Sequence, residues 1–236
     1  MAISHGVKKK QETVVISVGG SLISPPGGID TVFLKKFSTI IEKHIAKGTH
    51  FAIITGGGAT ARSYQGAGKK VAKLAKEDLD WLGIHATRLN GHLLRSLFRK
   101  SAHAVLITNP TKLVNIKEPV VIAAGWKPGW STDYVATVIA KELGAKKLIN
   151  LSNIDYVYTK DPNKYKNAQA LPEISWTEFF KLIPKKWDPG IHTPFDPVAS
   201  KLGKELGLEV AMINGMKLGE LEKYLSGQKF KGSRIS

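Results

Sequence analysis

The order of hydrophobic and polar positions predicts strands that alternate with helices along the chain. Thr13 to Val18 and Phe51 to Ile54 are short apolar runs rich in β-branched residues, which is typical of strands buried in a parallel sheet. Between them, apolar residues recur at helical spacing from Thr31 to Lys47, and Asp30 stands where a helix cap is expected. The chain therefore begins with a strand–helix–strand unit.

The same two periodicities extend this alternation to the C-terminus. Further strands are predicted at Ala104 to Thr108, Val120 to Ala123, Lys147 to Leu151 and Glu209 to Ile213. Further helices are predicted from about Ala59, from about Leu79 to Arg99, from Thr132 to Leu143, after Ser175, from about Pro197 to Leu206 and near Leu218 to Leu225. The fold class is therefore α/β, with a mainly parallel twisted sheet between helices in three layers.

Domain organisation follows from the spacing of these elements. There is no internal repeat and no long linker, which predicts one compact domain of two lobes over residues 13–236. Residues 1–12 are polar and lack periodicity, so we expect a disordered N-terminal extension. No apolar run has the length of a membrane span and no signal-peptide pattern is present, which predicts a cytoplasmic protein without membrane partners.

The amino-acid composition excludes cysteine chemistry and bears on how the net positive charge is interpreted. The absence of cysteine excludes disulfides, thiolate metal sites and cysteine nucleophiles. The net charge of +16 raises the possibility of nucleic-acid binding. However, the cations are mostly scattered lysines, and no nucleic-acid-binding motif is present. We therefore expect a basic surface that attracts phosphorylated small molecules, without a specific nucleic-acid partner.

Two glycine-rich segments are candidates for phosphate binding. Gly19-Gly20-Ser21 and Gly56-Gly57-Gly58 each follow an apolar strand, at the strand end where α/β sheets bind ligands. Glycine lets backbone N–H groups approach an anion, and the second loop opens a helix with Arg62 one turn along. Either loop alone could simply make a tight turn. Two at one edge favour phosphate binding, although neither is a Walker A or Gly-x-Gly-x-x-Gly motif.

A series of segments in fixed order carries a family resemblance. The segments are Val18-Gly-Gly-Ser-Leu22, Ile54-Thr-Gly-Gly-Gly58 with Ala61-Arg62, Leu82-Gly-Ile-His-Ala-Thr-Arg-Leu-Asn90, Ala124-Gly-Trp-Lys-Pro-Gly-Trp-Ser-Thr-Asp133, Leu151-Ser-Asn-Ile-Asp-Tyr-Val-Tyr-Thr-Lys-Asp-Pro162 and Phe195-Asp-Pro-Val-Ala-Ser-Lys201. From about Val14 to the end, the chain resembles the amino acid kinase superfamily, with its carbamate kinase-like fold. Within that superfamily it is similar to the archaeal-type UMP kinases, also called uridylate kinases.

The resemblance implies transfer of the γ-phosphate of ATP to UMP, with Mg²⁺ accompanying ATP. An N-terminal lobe would bind the acceptor, a C-terminal lobe would bind ATP, and a homo-oligomer, commonly a hexamer, is implied. Asp133 would organise the reaction centre through Mg²⁺ or the glycine loops, and Lys201 and Arg62 would neutralise charge. The implied ATP-binding residues are Gly20, Ser21, Gly58, Arg62, Ser152, Asn153, Tyr158 and Asp161. The implied UMP-binding residues are Gly57, Asp80, Trp126, Lys127, Pro128, Gly129, Trp130, Ser131 and Thr132.

The sequence also departs from the family pattern. Ser17 occupies a position where many superfamily members carry lysine, which archaeal-type UMP kinases also lack, and Tyr156 replaces a usual glycine. Trp126 and Trp130 stand where smaller or polar residues are common. Alternative functions are a kinase of the same fold for an isoprenoid phosphate or a carboxylate, and a non-catalytic nucleotide-binding protein. The isoprenoid-phosphate subgroup usually carries a histidine near its glycine loop, and residues 54–63 contain none.

Overall fold

The computed structural model describes residues 12–113, 116–184 and 193–236. The strands are β1 (Thr13–Val18), β2 (His50–Thr55), β3 (Val120–Ala123), β4 (Lys147–Ser152), β5 (Val157–Tyr158), β6 (Ala170–Leu171), β7 (Glu173–Ile174), β8 (Glu209–Asn214) and β9 (Ser233–Ile235). The helices are α1 (Gly20–Ile23), α2 (Thr31–Ile45), α3 (Gly58–Val71), α4 (Lys76–Leu97), α5 (Thr132–Leu143), α6 (Trp176–Leu182), α7 (Pro197–Glu205) and α8 (Leu218–Leu225).

A seven-stranded sheet with the order β3-β2-β1-β4-β8-β9-β7 organises these elements. The first five strands in this order pair in parallel, β9 runs antiparallel to β8, and β7 pairs in parallel with β9. The short strands β5 and β6 form a separate antiparallel pair. The predicted α/β class with a mainly parallel sheet is confirmed.

Each face of the sheet carries its own apolar core, because successive side chains of a strand point to opposite faces. Ile16 of β1 packs in a cluster with residues of α2, α4 and α8, including Phe37 and Leu94. Its neighbour Val15 packs in a second cluster with residues of α5, α6 and α7, including Ile139. The helices therefore cover both faces, as the three-layer prediction required.

The predicted strand at Ala104 to Thr108 is wrong. This segment has a single isolated bridge, between Ile107 and Ala123, and its Val105 is exposed to solvent. Ile107 donates its N–H to the Ile122 carbonyl, and its own carbonyl accepts from the N–H of Ala124. The segment has the apolar composition of a strand, but Ile107 is its one bridged residue; the preceding bridge to β3, between Ala102 and Val120, lies outside the segment, and the residues between are not paired in a ladder.

The N-terminal prediction lies almost wholly outside the described residues. Of the proposed extension at residues 1–12, only Glu12 is described. Its carbonyl accepts a hydrogen bond from the His50 N–H at 3.1 Å, and its carboxylate forms an ion pair with Lys147 at 2.7 Å. Across the described ranges, the structure contains no helix with the length and apolar character needed to cross a bilayer.

Candidate active site

The two glycine loops pack backbone against backbone beyond the ends of β1 and β2. A Cβ atom on Gly20 would overlap the Gly58 nitrogen and would lie 2.5 Å from the Gly56 carbonyl carbon. Gly58 has a φ of 62°, a left-handed conformation that glycine adopts without steric cost. The structure thus brings together the two segments that the sequence singled out, at a separation that only glycine allows.

We expect Gly20→Ala to destabilise the fold severely, because the added methyl group would meet backbone atoms that cannot rotate away. Overpacking of this kind costs roughly 1–3 kcal/mol or more, so the thermal unfolding midpoint should fall by several degrees. Gly66→Ala is the matched control, because Gly66 lies in α3 and a methyl group there would meet no atom within 4 Å. It should be neutral or stabilising. Equal midpoints for Gly20→Ala and wild type would show that the loops do not pack closely.

Arg62 projects from the second turn of α3 towards the first glycine loop. Its Nη2 donates to Ser21 Oγ at 3.3 Å, and both side chains are exposed. Among the described residues Arg62 has no acidic partner. The hydroxyls of Ser24 and Thr60 lie 2.8 Å apart and tie α3 to the segment after α1. A solvent-accessible guanidinium therefore stands beside backbone N–H groups, which suits an anionic ligand.

Asp133 lies in the first turn of α5, immediately after the loop that follows β3. Ser131 caps the start of this helix, and its hydroxyl accepts the Tyr134 N–H at 3.1 Å. The Asp133 Oδ1 accepts hydrogen bonds from Ser17 Oγ at 3.0 Å and Asn150 Nδ2 at 2.9 Å. Burial is the main cause that raises the pKa of Asp133, the nearby Asp196 charge adds to it, and the hydrogen bonds from Ser17 and Asn150 oppose it, so that the pKa lies at about 6. The site therefore holds a carboxylate that is costly to ionise.

Sequence reasoning missed Asp196 as part of this centre. Its Oδ1 accepts from the N–H groups of Val198 and Ala199, both at 2.7 Å, and so caps α7. Burial raises the pKa of Asp196 as well, and its backbone N–H hydrogen-bonds Asp133. The signal was present in the sequence, since Asp before Pro197 is a typical helix start. Ser17 and Asn150 were likewise not assigned to the site, although each is a polar residue within an apolar strand.

Lys201 follows in the second turn of α7. Its side chain is exposed and makes no hydrogen bond or ion pair with a described residue. Lys204, one turn further, lies 3.5 Å from Thr177 Oγ1, and its ammonium is 5.8 Å from the centroid of the Phe180 ring. The ammonium groups of the two lysines therefore have different environments: that of Lys204 contacts α6, while that of Lys201 is available to a ligand.

The loop at residues 126–132 is held in place by α4. Asp80 Oδ2 accepts the N–H of Gly129 at 2.9 Å, and Gly129 has a φ of 83°. Arg88 donates to the carbonyl of Gly125 at 3.3 Å and to that of Trp126 at 2.9 Å. The structure therefore joins Asp80 to the predicted acceptor loop at residues 126–132. One Asp80 oxygen is occupied by this contact.

The aromatic residues of this loop form a cluster with a lysine on it. The Trp130 ring stacks on Tyr134 with centroids 4.0 Å apart, and Trp126 lies 6.1 Å from Trp130. The Lys127 ammonium sits 4.2 Å from the Trp126 ring centroid. Pro128, Ser131 and Thr132 complete the predicted acceptor loop and are all partly buried.

The predicted ATP-binding residues fall into two groups. Ser152 ends β4 next to Leu151, whose carbonyl accepts the Gly19 N–H at 2.7 Å, so this group adjoins the first glycine loop. Asn153 is exposed beside it. Tyr158 and Asp161 lie further along, and Asp161 accepts the Asn163 N–H at 2.9 Å within its own turn. The structure does not join Asp161 to the glycine loops.

Comparison with known proteins places this geometry in a family. The sequence profile of the amino acid kinase family matches residues 12–214. A uridylate kinase from Hyperthermus butylicus is 31% identical over 227 residues, covering 94% of this chain and 97% of the relative. A uridylate kinase from Methanocorpusculum labreanum is 33% identical, covering 94% of each chain.

Solved structures agree with the sequence relatives. The crystal structure of a uridylate kinase from Archaeoglobus fulgidus superposes with a TM-score of 0.80 at 27% identity, covering 94% of this chain and 99% of the other. The UMP kinase from Bacillus anthracis, at 19% identity and a TM-score of 0.77, shares the fold. The profile spans most of the chain, and relatives above 30% identity cover nearly all of it. The chain therefore belongs to the amino acid kinase family.

Proposed function

We propose that this protein is a UMP kinase that transfers the γ-phosphate of ATP to UMP, giving UDP and ADP. The observation that carries the proposal is the close packing of the two glycine loops beyond β1 and β2, with Asp133 hydrogen-bonded to Ser17, two residues before the first loop. This centre occurs in a chain whose relatives are uridylate kinases. A phosphate oxygen of UMP would attack the γ-phosphorus, and the bond from that phosphorus to the β-phosphate oxygen would break.

Phosphoryl transfer requires aligned substrates and neutralised charge more than covalent chemistry from the protein. The N–H groups of the loops at Gly20 and Gly58 would cradle the transferring phosphates. Arg62 beside Ser21 and the exposed Lys201 would supply positive charge. No general base is needed, because the UMP phosphate is already an anionic nucleophile. Asp133 would organise the donors around the transferring group.

Mg²⁺ is expected to enter this site with ATP. No group of three or more His, Cys, Asp or Glu side chains in the described ranges could enclose a metal ion. Mg²⁺ in phosphoryl-transfer sites is held largely by substrate phosphates and water, so the residues present fit an ion that arrives on the nucleotide. When bound, it would offset negative charge on the phosphates.

An acceptor panel tests the proposed activity. ADP formation from ATP with Mg²⁺ is measured with UMP, CMP, UDP, acetylglutamate and isopentenyl phosphate as acceptors. We expect turnover with UMP well above that with every other compound. If UMP is inert while another acceptor reacts, the protein is a sister kinase of the same fold. Nucleotide binding without turnover of any acceptor would favour a non-catalytic nucleotide-binding protein.

We expect Asp80→Ala to raise the KM for UMP about tenfold, with a smaller change in kcat. The substitution removes a bond to Gly129 that shapes the acceptor loop, and removes a carboxylate proposed to contact the nucleoside. A lost hydrogen bond to a charged group typically corresponds to about that factor. Steady-state kinetics with varied UMP measures the effect, and Asp78→Ala on the same helix is the control. An unchanged KM would exclude Asp80 from the acceptor site.

We also infer that the chain forms a homo-oligomer, with the hexamer of its family resemblance as the specific expectation. This inference rests on the family resemblance, and Leu89 and Leu97 of α4, which are 63% and 48% exposed, are apolar side chains that a contact between subunits would cover. Light scattering coupled to size-exclusion chromatography measures the mass directly. A single monomeric peak at micromolar concentration would overturn this inference.

A further inference from the structure

We propose that Ser17 and Asn150 are positioning residues, which hold the Asp133 carboxylate in the orientation that phosphoryl transfer requires. The proposal rests on the proposed kinase function, which it deepens. The two residues lie on different strands, Ser17 on β1 and Asn150 on β4. Both donate to the same carboxylate oxygen, Asp133 Oδ1, at 3.0 and 2.9 Å.

The sheet register makes this arrangement possible. Strands β1 and β4 are parallel neighbours, and Ser17 is paired directly with Asn150 across them. The strand neighbours Ile16 and Ile149 are fully buried, while Ser17 and Asn150 are only 4% and 6% exposed. A polar side chain in such a core costs free energy unless it is hydrogen-bonded. Their bonds to Asp133 meet that need.

Two hydrogen bonds to one oxygen, from donors on two strands, limit rotation of the Asp133 carboxylate. The main chain of Asp133 is fixed as well, since its carbonyl accepts from Thr137 Oγ1 at 2.9 Å within α5. The Asp196 backbone N–H hydrogen-bonds the same carboxylate, so it is held from three separate segments of the chain. A carboxylate fixed in this way is preorganised, because it need not reorient during the reaction. Preorganised charged and polar groups stabilise the charge that develops in a transition state.

The chemical character of the donors is as important as their position. Both donors are neutral, so they favour the ionised carboxylate without cancelling its negative charge. A lysine at position 17 would instead cancel that charge. Asp196, at the start of α7, also faces Asp133, and its charge disfavours ionisation of Asp133, as burial does. Ser17 and Asn150 oppose both effects, because their hydrogen bonds lower the Asp133 pKa. They therefore control both the direction and the charge of this carboxylate.

The first test removes each donor separately. Asn150→Leu keeps a similar volume, and Ser17→Ala removes only the hydroxyl. Each should lower kcat about tenfold while the KM for UMP changes less than twofold. Ser17→Thr retains a hydroxyl and should restore activity to within about twofold. A higher KM for UMP with unchanged kcat would overturn the proposal. Equal kcat values for Ser17→Ala and wild type would overturn it as well.

A double-mutant cycle separates positioning from simple structural support. If Asn150 acts through Asp133, then adding Asn150→Leu to Asp133→Asn should cost less than a further factor of about two. Multiplicative losses would mean that Asn150 supports the fold independently, which overturns the proposal. Thermal unfolding of each variant verifies folding, and if Asn150→Leu does not fold, Ser17→Ala carries the same cycle.

A readout without turnover keeps this inference distinct from the proposed activity. Carbon-13 NMR of the aspartate carboxyls, with the Asp133 signal assigned by its loss in Asp133→Asn, follows ionisation directly. The Asp133 signal should titrate about one pH unit higher in Ser17→Ala and Asn150→Leu than in wild type. Unchanged titration would overturn the positioning role. Failure of UMP to react in the acceptor panel would instead reject the UMP kinase proposal and leave this titration interpretable.

Discussion

Asp133→Asn is expected to lower turnover by roughly 10²–10³-fold or more, the effect of losing a group that organises charge in a transition state. UMP affinity should change little, because Asp133 lies among Ser17, Asn150 and the start of α7 and not in the acceptor loop. Single-turnover kinetics and a UMP binding titration separate these two quantities. Asp30→Asn is the control, because Asn caps a helix as well as Asp does and Asp30 caps α2.

We also expect Asp133→Asn to change the stability of the folded protein, by an amount that depends on the pH. The pKa of Asp133 is raised from an ordinary value of 3.8 to about 6. The folded state therefore binds this proton more tightly than the unfolded state. The stabilisation that comes from protonating Asp133 in the folded state is fully present below pH 3.8 and is lost as the pH rises through about 6. Asp133→Asn should accordingly unfold at a higher temperature than wild type at pH 8, and the difference should vanish near pH 4.

These two outcomes together distinguish a functional carboxylate from a helix-end acid. A variant that loses turnover while gaining stability at neutral pH indicates a residue retained for chemistry. Near-normal turnover with lower stability would show that Asp133 serves only the first turn of α5, where an acidic residue is favoured by the helix dipole. That result would also remove the basis for assigning a positioning role to its partners.

Lys201→Met is expected to reduce turnover by about 10²–10³-fold, the typical loss when a charge-stabilising donor is removed. With Ser17 at a position that often holds lysine, Lys201 and Arg62 are the cations proposed for the transferring phosphoryl group. Lys201 is exposed in α7 and makes no hydrogen bond or ion pair with a described residue, so its loss should leave the fold intact. Steady-state kinetics should show an unchanged affinity for UMP.

Lys204→Met is the matched control for Lys201→Met. It lies in the same helix, and its ammonium contacts Thr177 and the Phe180 ring on α6. Exposed contacts of this kind contribute at most about 1 kcal/mol to stability, so activity should be nearly unchanged. Equal losses at both positions would mean that the assay reports general basicity. The catalytic assignment of Lys201 would then be withdrawn.

Local sequence signals predicted many of the elements well. The strands Thr13–Val18 and Val120–Ala123 and the helices Thr132–Leu143 and Leu218–Leu225 have the predicted limits. Their ends are set by nearby residues: Gly144, for example, has a left-handed φ of 63° and ends α5. Element limits of this kind depend on a few consecutive residues, so they can be predicted from the chain itself.

Prediction failed where an element depends on a distant neighbour. Ala104 to Thr108 has the composition of a strand but lacks a partner along its length. Conversely, the two-residue strand β7 and the three-residue strand β9 are too short to show a period, and they exist because each pairs with an adjacent strand. A strand is stabilised by hydrogen bonds to another segment, so its own residues do not decide whether it forms.

The sequence by itself determined the α/β class, the two glycine loops and the ordered motifs that carry the family resemblance. Only the tertiary structure decided that Ser17 and Asp133, 116 positions apart, share a hydrogen bond. It likewise decided that Gly20 meets Gly58 with no room for a Cβ atom between their loops. The reason is physical: the order and register of the parallel strands decide which residues meet, and no local pattern encodes the neighbour of a strand.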